Sequence, residues 1–464
     1  NEVIEILEHI RKNEKNNSFY ALQLGMYYSL ESNIKKALEE YFIYLNNNDK
    51  NINIISNRIM TLADNKSNIE IIKNALNANK QIQSKIILSQ LEFKLKNFDT
   101  SYQLLNKYSN NDKLEILFIE DLLEIEKFDL AEKIINSIIT NSKNPKTITK
   151  AIFLLAQLFE KKIVKQSNQL PISKLINNNE LLNSPFIKIN DEYAILLENT
   201  TNIYDSLAIN LKDYKSTFHL AEIKYRIQGD LDGALVLYTN IFNKEKLFEY
   251  RLKSLERIID IYHSKGDLEG ANIQIEKYLN INNEKIKIII NIKKIQNYFY
   301  MGNKELLLKQ GNQILKTLSK KNSYYNDILD MISMAYLIDN DNEFKDYSLS
   351  KFKLIQNKRV ISINLLNSLE SESNEFNDRI VYEKAYLNML QGQYDTALNI
   401  INNINKDSTY AEYSTLLKGE LLDYIIKNKS KAIDSYIQFL DLYPDSIYYD
   451  LIRMRIREIA NTDA

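Results

Sequence analysis

The residue types that most often carry out catalysis are scarce in this chain of 464 residues. It has no cysteine, which excludes disulfides, thiolate nucleophiles and cysteine-based zinc or iron–sulfur sites. The three histidines, His9, His219 and His263, are far apart in the sequence. The sequence also contains no phosphate-binding glycine-rich loop, paired-histidine zinc signature or Gly-x-Ser-x-Gly turn. The chain is therefore predicted not to be an enzyme and to bind neither a cofactor nor a metal.

Two pairs of adjacent carboxylates, Glu39-Glu40 and Glu120-Asp121, come nearest to a general acid and base pair. Both pairs lie in stretches with the spacing of amphipathic helices. Because adjacent residues of a helix point in different directions, the two carboxylates of each pair do not face a common substrate. We interpret them as solvating charges.

Composition predicts that helices form the framework. The chain is 44% hydrophobic and 26% charged, so it can bury a large apolar core. It has only 9 glycines and 4 prolines, which leaves few residues for the tight turns of β-hairpins. Helices joined by short polar connections are the expected result.

Charge and hydropathy argue against a nucleic-acid partner and against a membrane span. The formal net charge is −1, so no global field attracts nucleic acid, and RNA binding by helical repeats is disfavoured. The longest apolar stretches, such as Ile286 to Ile292, fall far short of the roughly 20 residues that a membrane span needs. The sequence therefore predicts no nucleic-acid partner and no membrane span.

An internal repeat organises the chain. The segments 229–234 (Gly-Asp-Leu-Asp-Gly-Ala) and 266–271 (Gly-Asp-Leu-Glu-Gly-Ala) align without gaps, just over three dozen positions apart. Upstream of each glycine, apolar residues three and four positions apart predict an amphipathic helix. Each copy therefore has the order helix, glycine turn, helix.

Small and bulky residues alternate in the clearest copies. The first copy has Leu24-Gly25 and Tyr28 in its first helix, and Ala37 and Tyr41 in its second. The last copy keeps the second-helix residues, which are Ala432, Tyr436 and Phe439, followed by Pro444. This pattern resembles the tetratricopeptide (TPR) repeat, in which small residues let two helices approach and aromatic residues fill the wedge between pairs. The resemblance implies an all-α, right-handed α-solenoid of stacked antiparallel helix pairs.

Other parts of the chain are assigned by phase with this repeat. Residues 53–79, 284–319 and 323–357 each have the length of a helix pair, whereas 359–376, with the acidic run 370–375, is interpreted as a turn between repeats. We divide the chain into TPR-like repeats over 1–162, an irregular segment over 163–190, and TPR-like repeats over 191–464 that end in a capping helix at 446–459.

Two interpretations of the segment 163–190 remain open. It contains two of the four prolines, Pro171 and Pro185, together with the run Asn177-Asn178-Asn179. One interpretation is a structural insertion or hinge that joins two solenoid segments. The other is a binding loop, because long irregular segments in compact folds often carry function.

In the family that the chain resembles, first helices line a groove that binds ligands. Candidate groove residues are therefore the polar ones on two such helices, although a merely solvated face explains them as well. They are Ser216, His219, Arg226, Lys253, Glu256, Asp260 and His263. The 31 tyrosines are interpreted mainly as wedge residues of the core rather than as a recognition surface.

These observations predict a non-enzymatic scaffold or adaptor that binds a peptide or protein in its groove. The alternative is a regulatory or substrate-presenting region of a larger enzyme whose catalytic domain precedes Asn1. Because the chain begins with Asn1 rather than Met, we expect a signal peptide or another domain upstream. The last repeat resembles those of bacterial cell-envelope proteins, which favours a periplasmic or outer-membrane-associated location over the cytoplasm. The sequence does not predict the oligomeric state.

Overall fold

The computed structural model describes residues 2–47, 52–109, 111–167, 170–244, 248–369 and 373–462. Within these ranges every regular element is helical, and no strand occurs. Contacts divide the chain into two compact units, Asn1–Leu158 and Phe159–Ala464, so the boundary falls inside one long helix.

The first unit is built from helices α1 to α9 and the beginning of α10. Their bounds are α1 Glu2–Asn13, α2 Ala21–Leu30, α3 Ile34–Asn47, α4 Ile52–Leu62, α5 Ile69–Ala78, α6 Ile82–Lys94, α7 Phe98–Tyr108, α8 Asp112–Glu124, α9 Phe128–Asn141 and α10 Pro145–Ser167.

The second unit continues with a short helix and then a long run of helices. Their bounds are α11 Ser173–Ile176, α12 Ala194–Leu211, α13 Tyr214–Ile223, α14 Leu231–Lys244, α15 Phe248–Lys265, α16 Leu268–Tyr278, α17 Glu284–Tyr300, α18 Lys304–Leu315, α19 Tyr325–Leu337, α20 Asp341–Ile355, α21 Arg359–Asn367, α22 Asn374–Leu390, α23 Tyr394–Asn402, α24 Ala411–Glu420, α25 Lys429–Leu442 and α26 Tyr449–Thr462.

Consecutive antiparallel helices form hairpins with very short turns, which confirms the predicted fold class. Gly229 and Gly266 have φ of 67° and 81°, as expected where the chain reverses directly after a helix. Other turns of the same kind use residues with a side chain in the left-handed region. These are Ser32, Lys96, Glu126, Asn357 and Lys427. The chain can therefore repeat the hairpin many times with few glycines, although each such residue carries a backbone cost of roughly 1–2 kcal/mol.

The close approach of paired helices has the predicted cause. A Cβ atom built on Gly25 would lie 2.5 Å from Cε1 of Tyr41 on the facing helix, so only glycine fits. Ala37 is fully buried and Tyr41 is 1% exposed. The last hairpin repeats this arrangement, with Gly419 packed against the ring of Tyr436. Small residues on one helix thus accommodate the tyrosine of the other.

Each of the three stretches assigned by phase contains two helices, but the neighbouring stretch 359–376 is not a turn. Residues 53–79 contain α4 and α5, residues 284–319 contain α17 and α18, and residues 323–357 contain α19 and α20. In 323–357, α20 makes its tight turn with α21 rather than with α19. The interpretation of 359–376 as a turn is therefore wrong, because α21 occupies 359–367 and α22 begins at Asn374. Residues 370–372 lie outside the described residues.

The segment 163–190 begins as the end of α10, which extends to Ser167. After it, α11 is a single short helix, and residues 183–190 are irregular. The predicted capping helix at 446–459 corresponds to α26, Tyr449–Thr462. Arg455 of α26 pairs with Asp423 through two bonds, of 2.8 Å and 3.0 Å, while Arg453 remains 51% exposed.

Candidate functional site

Residues 170–187, which we name the strap, lie against helices of the second unit that follow them by up to 248 positions. The strap meets α24 first, then α22, α19 and α17, and finally the residues just after α13. Its direction is therefore opposite to the order of these helices in the chain. We name the side chains of α17, α19, α22 and α24 that contact it the strap groove.

The beginning of the strap is held by one carboxylate. Glu420 accepts hydrogen bonds from the backbone N–H of Ile172 and of Ser173, both at 2.7 Å. The pKa of Glu420 is raised above its ordinary value by burial, and these hydrogen bonds oppose the rise only in part. Glu420 is 1% exposed and Ser173 is fully buried, so water is excluded from both sides of the contact. Hydrogen bonds to a charged group in such a place are among the strong ones.

Asparagines and a backbone amide hold the middle of the strap. The Asn177 side chain donates to the Tyr382 hydroxyl at 2.9 Å. Asn179 donates to Oδ2 of Asp330 at 2.9 Å. The backbone N–H of Glu180 donates to Oδ2 of Asp327 at 3.0 Å. The groove thus binds the middle of the strap through two asparagine side chains and one backbone amide, and any extended peptide also presents the backbone amide.

Two leucines provide the apolar part of the contact. Leu181 and Leu182 are 1% and 2% exposed and join the same hydrophobic cluster as residues of α17 and α19. The carbonyl oxygen of Leu181 accepts a hydrogen bond from Nε2 of Gln296 at 2.7 Å and another from the Tyr300 hydroxyl. Burial of two leucine side chains stabilises the seated strap by about 3–6 kcal/mol before the cost of ordering it.

The end of the strap pairs with residues just after α13. The backbone N–H of Ile187 donates to the carbonyl of Arg226 at 2.8 Å, and Nε of Arg226 donates to the carbonyl of Pro185 at 3.3 Å. The ring of Phe186 packs edge-on against Tyr225 with centroids 5.9 Å apart. The strap is therefore fixed at both ends and in the middle.

Both π-helical turns in the described ranges adjoin the strap. One spans Lys224–Gln228 and includes Arg226; the other spans Leu421–Ile425 and directly follows Glu420. A π-helical turn inserts one residue into a helix and redirects the side chains beside it, and such turns are frequent at functional sites. Here each turn places a residue that holds one end of the strap.

A buried ion network supports the middle of the groove. Arg379 binds both oxygens of Asp330, at 2.6 Å and 3.0 Å, and Glu383 at 2.9 Å. Lys351 binds the other oxygen of Glu383 at 2.8 Å. Burial alone would raise the pKa of Asp330, but Arg379 more than offsets this and lowers it. Asn179 of the strap donates to this same aspartate.

A second buried network joins α13, α15 and α17. Arg257 pairs with Glu222 at 2.8 Å and with Asp260 at 3.1 Å. Lys293 pairs with Asp260 at 2.6 Å and with Glu256 at 3.3 Å. Burial alone would lower the pKa of Lys293, but the two carboxylates raise it. Because each charge is paired within the network, the ion pairs connect successive first helices.

The structure separates the predicted groove residues into buried and accessible ones. Ser216 is fully buried and His263 is 1% exposed, with its Nε2 3.1 Å from Oδ1 of Asn297, so neither presents a surface to a ligand. Glu256 and Asp260 belong to the buried network just described.

The other three predicted residues are accessible to different extents. The His219 ring lies 2.8 Å from Glu160 and stacks on Tyr204. The Arg226 side chain is 37% exposed, and that of Lys253 is 54% exposed and pairs with Glu249. A ligand-binding role for these residues stays a prediction. The described residues contain no group of three or more His, Cys, Asp or Glu placed to hold a metal ion.

Sequence reasoning missed the residues that hold the strap. Glu420, Asp327, Gln296 and Tyr300 lie on helices whose polar residues gave no distinct signal. The adjacent leucines 181 and 182 were the available clue, because two apolar residues inside a polar segment bracketed by prolines require a place to be buried.

The chain matches no family model, and no curated protein matches it. Solved structures similar to it include the human IFIT1 dimer with m7Gppp-AAAA, at 11% identity over 89% of this chain and 90% of that one, with a TM-score of 0.28. Yeast Tom70 matches at 15% identity over 90% of this chain and 97% of that one, with a TM-score of 0.23. The TPR domain of P58(IPK) matches at 12% identity over 93% and 99%, with a TM-score of 0.18. The fold assignment rests on the hairpins themselves.

None of the helices that the structure describes has both the length and the apolar character of a transmembrane segment.

Proposed function

We propose that the chain is a non-enzymatic protein-interaction scaffold and that its strap groove binds an extended segment of a partner protein. The observation that carries the proposal is the strap itself. An irregular segment lies across successive helices, with its amide groups bonded to groove side chains and two leucines buried. An extended partner segment with two adjacent apolar residues can make the same backbone and apolar contacts.

In this proposal the strap occupies the groove until a partner replaces it. A tethered segment competes at the high effective concentration of a short linker, in the millimolar range for flexible ones, so only a partner with better contacts displaces it. The strap thus sets a threshold for binding. This interpretation combines the insertion and binding-loop hypotheses. The strap is an insertion that fills the groove, and its sequence indicates which partner segments can bind there.

A peptide added in trans tests the proposal. Residues 170–187 are replaced by a Gly/Ser linker of equal length, and a fluorescent peptide with the sequence 170–187 is titrated in an anisotropy assay. The replaced chain should bind the peptide saturably, and the intact chain should bind it much more weakly. The control peptide carries Leu181→Asp and Leu182→Asp and should not bind.

Absence of peptide binding to a replaced chain that keeps its helical circular dichroism would contradict the proposal. If the replaced chain does not fold, protease sites placed on either side of the strap in the full chain provide the second assay. After cleavage under native conditions the strap should dissociate on dilution and rebind on concentration. A strap that stays bound at every dilution would show a permanent structural element instead.

The cell-envelope assembly predicted from the last repeat remains part of this proposal. Fractionation of cells that produce the full-length protein checks it, and recovery confined to the cytoplasm would contradict it.

A further inference from the structure

A cavity of about 510 Å³ lies where the strap leaves its groove. Four parts of the chain line it: the strap end and the residues after it, the turn between α13 and α14, Ser264 near the end of α15, and the turn between α20 and α21. The lining includes Lys188, Arg226, Gly229, Gln356 and Arg359. This volume falls within the range of about 300–1,000 Å³ that is typical of small-molecule sites.

The lining of the cavity carries positive charge only. Lys188, Arg226 and Arg359 each contribute a cation, and none of the lining residues carries a carboxylate. Arg226 has its nearest acid, Glu222, at 3.6 Å. Glu222 partly neutralises Arg226 but does not line the cavity, and a region lined by several cations and by no acid attracts anions.

Arg359 is the most unusual of these cations. In the described part of the chain it makes one polar contact, from Nη1 to the carbonyl of Leu390 at 3.4 Å. Its Nε is buried without an acceptor. Burial lowers the pKa of Arg359, and the neighbouring Tyr386 opposes this only in part. A half-buried guanidinium with no acid beside it is costly for the fold, so its presence requires another reason.

Gln356 presents a second unused donor at the same cavity. Its Oε1 accepts a hydrogen bond from Nζ of Lys358 at 3.1 Å, which leaves the amide nitrogen as the free end. That nitrogen, Nε2, is buried and has no acceptor among the described residues. Two buried donors that line one cavity indicate a missing acceptor.

We propose that this cavity binds a small ligand bearing a phosphate-like oxyanion. A guanidinium donates two parallel hydrogen bonds to such a group, and an amide donates a third. Lys188 and Arg226 add charge from the strap side and from the turn after α13. The inference is independent of the proposed function, because it rests on uncompensated donors and not on displacement of the strap.

Calorimetric titration of the intact chain at low ionic strength tests the site. The probes are inorganic phosphate, inorganic pyrophosphate and phenyl phosphate, with acetate as the carboxylate control. Tighter binding of phenyl phosphate than of inorganic phosphate would identify a phosphomonoester as the natural class, and the reverse order would identify the free anion. Both results support a phosphate site.

Arg359→Met keeps the length of the side chain and removes the charge. We expect it to weaken phosphate binding at least about tenfold. We also expect the unliganded variant to melt no lower than the wild type, because an unpaired cation has been removed. The matched control is Arg453→Met, which changes an exposed arginine paired with Asp450 on α26 and should leave binding unchanged.

Two outcomes would overturn the proposal. One is the absence of heat with all three phosphate probes at millimolar concentration. The other is equal binding by the Arg359→Met and Arg453→Met variants, which would show non-specific attraction. If Arg359→Met does not fold, Gln356→Leu provides the second variant, and it too should weaken binding.

Discussion

Oε2 of Glu420 accepts a hydrogen bond from the backbone N–H of Ser173 at 2.7 Å, although 247 positions of sequence separate the two residues. The partner oxygen of the same carboxylate accepts from Ile172 at the same distance. Among the contacts of the strap, those made by this one side chain therefore join residues with the largest separation in sequence. This contact gives the clearest test of how the strap is held.

Replacing Glu420 with Ala should loosen the strap at its beginning. A hydrogen bond to a charged group contributes about 1.5–3 kcal/mol, so the labelled peptide should bind the strap-replaced chain at least about tenfold more weakly when Glu420→Ala is added. Anisotropy measures the change. Glu284→Ala removes an exposed glutamate paired with Lys287, and is the matched control. Equal effects of the two substitutions would contradict the assigned anchor.

Asp327 should make stability depend on pH. Burial, together with Glu180 and Asp330, raises the pKa of this carboxyl to about 7, against hydrogen bonds from the strap backbone that lower it. The folded state therefore favours the neutral form, and the stability that results is present below about pH 4 and lost as the pH rises through about 7.

The Asp327→Asn variant isolates this effect because the amide stays neutral and its oxygen still accepts from the backbone. Relative to this variant, the wild type should lose free energy of unfolding between pH 4 and pH 7, as measured by urea denaturation at a series of pH values. Parallel curves for the two proteins would show that Asp327 is ionised throughout.

The buried pair of Arg379 and Asp330 should be costly to break. Arg379→Met leaves Asp330 without its guanidinium inside the protein and should lower the free energy of unfolding by about 3–5 kcal/mol. Arg453→Met, at an exposed pair, should change it by less than about 1 kcal/mol. Urea denaturation of both variants makes the comparison. Equal losses would show that the network contributes little.

The effect of Gly25→Ala on stability should change sign when Tyr41 is removed. Gly25→Ala forces the ring of Tyr41 aside and disturbs its 2.9 Å contact with the Ser29 hydroxyl, so the variant should be destabilised by about 1–3 kcal/mol. In a Tyr41→Ala chain the same change should stabilise, because alanine is the better helix former by about 1 kcal/mol. A double-mutant cycle of thermal unfolding checks the reversal.

Local sequence pattern predicts the hairpins well because their determinants are local. The glycine turn at 229 and the small and aromatic residues of α2 and α3 lie within one repeat, so spacing reveals them. The same reasoning fails at α21, where Arg359–Asn367 is helical although the stretch reads as a turn, because packing in the stack overrides weak propensity.

The candidate site is less predictable because its contacts are long-range. The amide nitrogen of Gln296 reaches the carbonyl of Leu181 across 115 positions, and no periodicity reports such a contact. His263 and Ser216 carry polar groups that suit a binding face, yet both are buried. Residue type alone does not show whether a polar group on a first helix faces the groove or the neighbouring helix.

Native-state hydrogen exchange of the intact chain tests the central claim most directly, because a groove that serves partners must empty while its helices stay folded. The amides of Ile172, Ser173 and Glu180 should exchange through a local opening, with a free energy well below that of the amides in the middle of α17 and α22. The free energy of this local opening should also change little with denaturant concentration. Exchange of the strap amides only together with those helices, with the same free energy and denaturant dependence, would contradict the account.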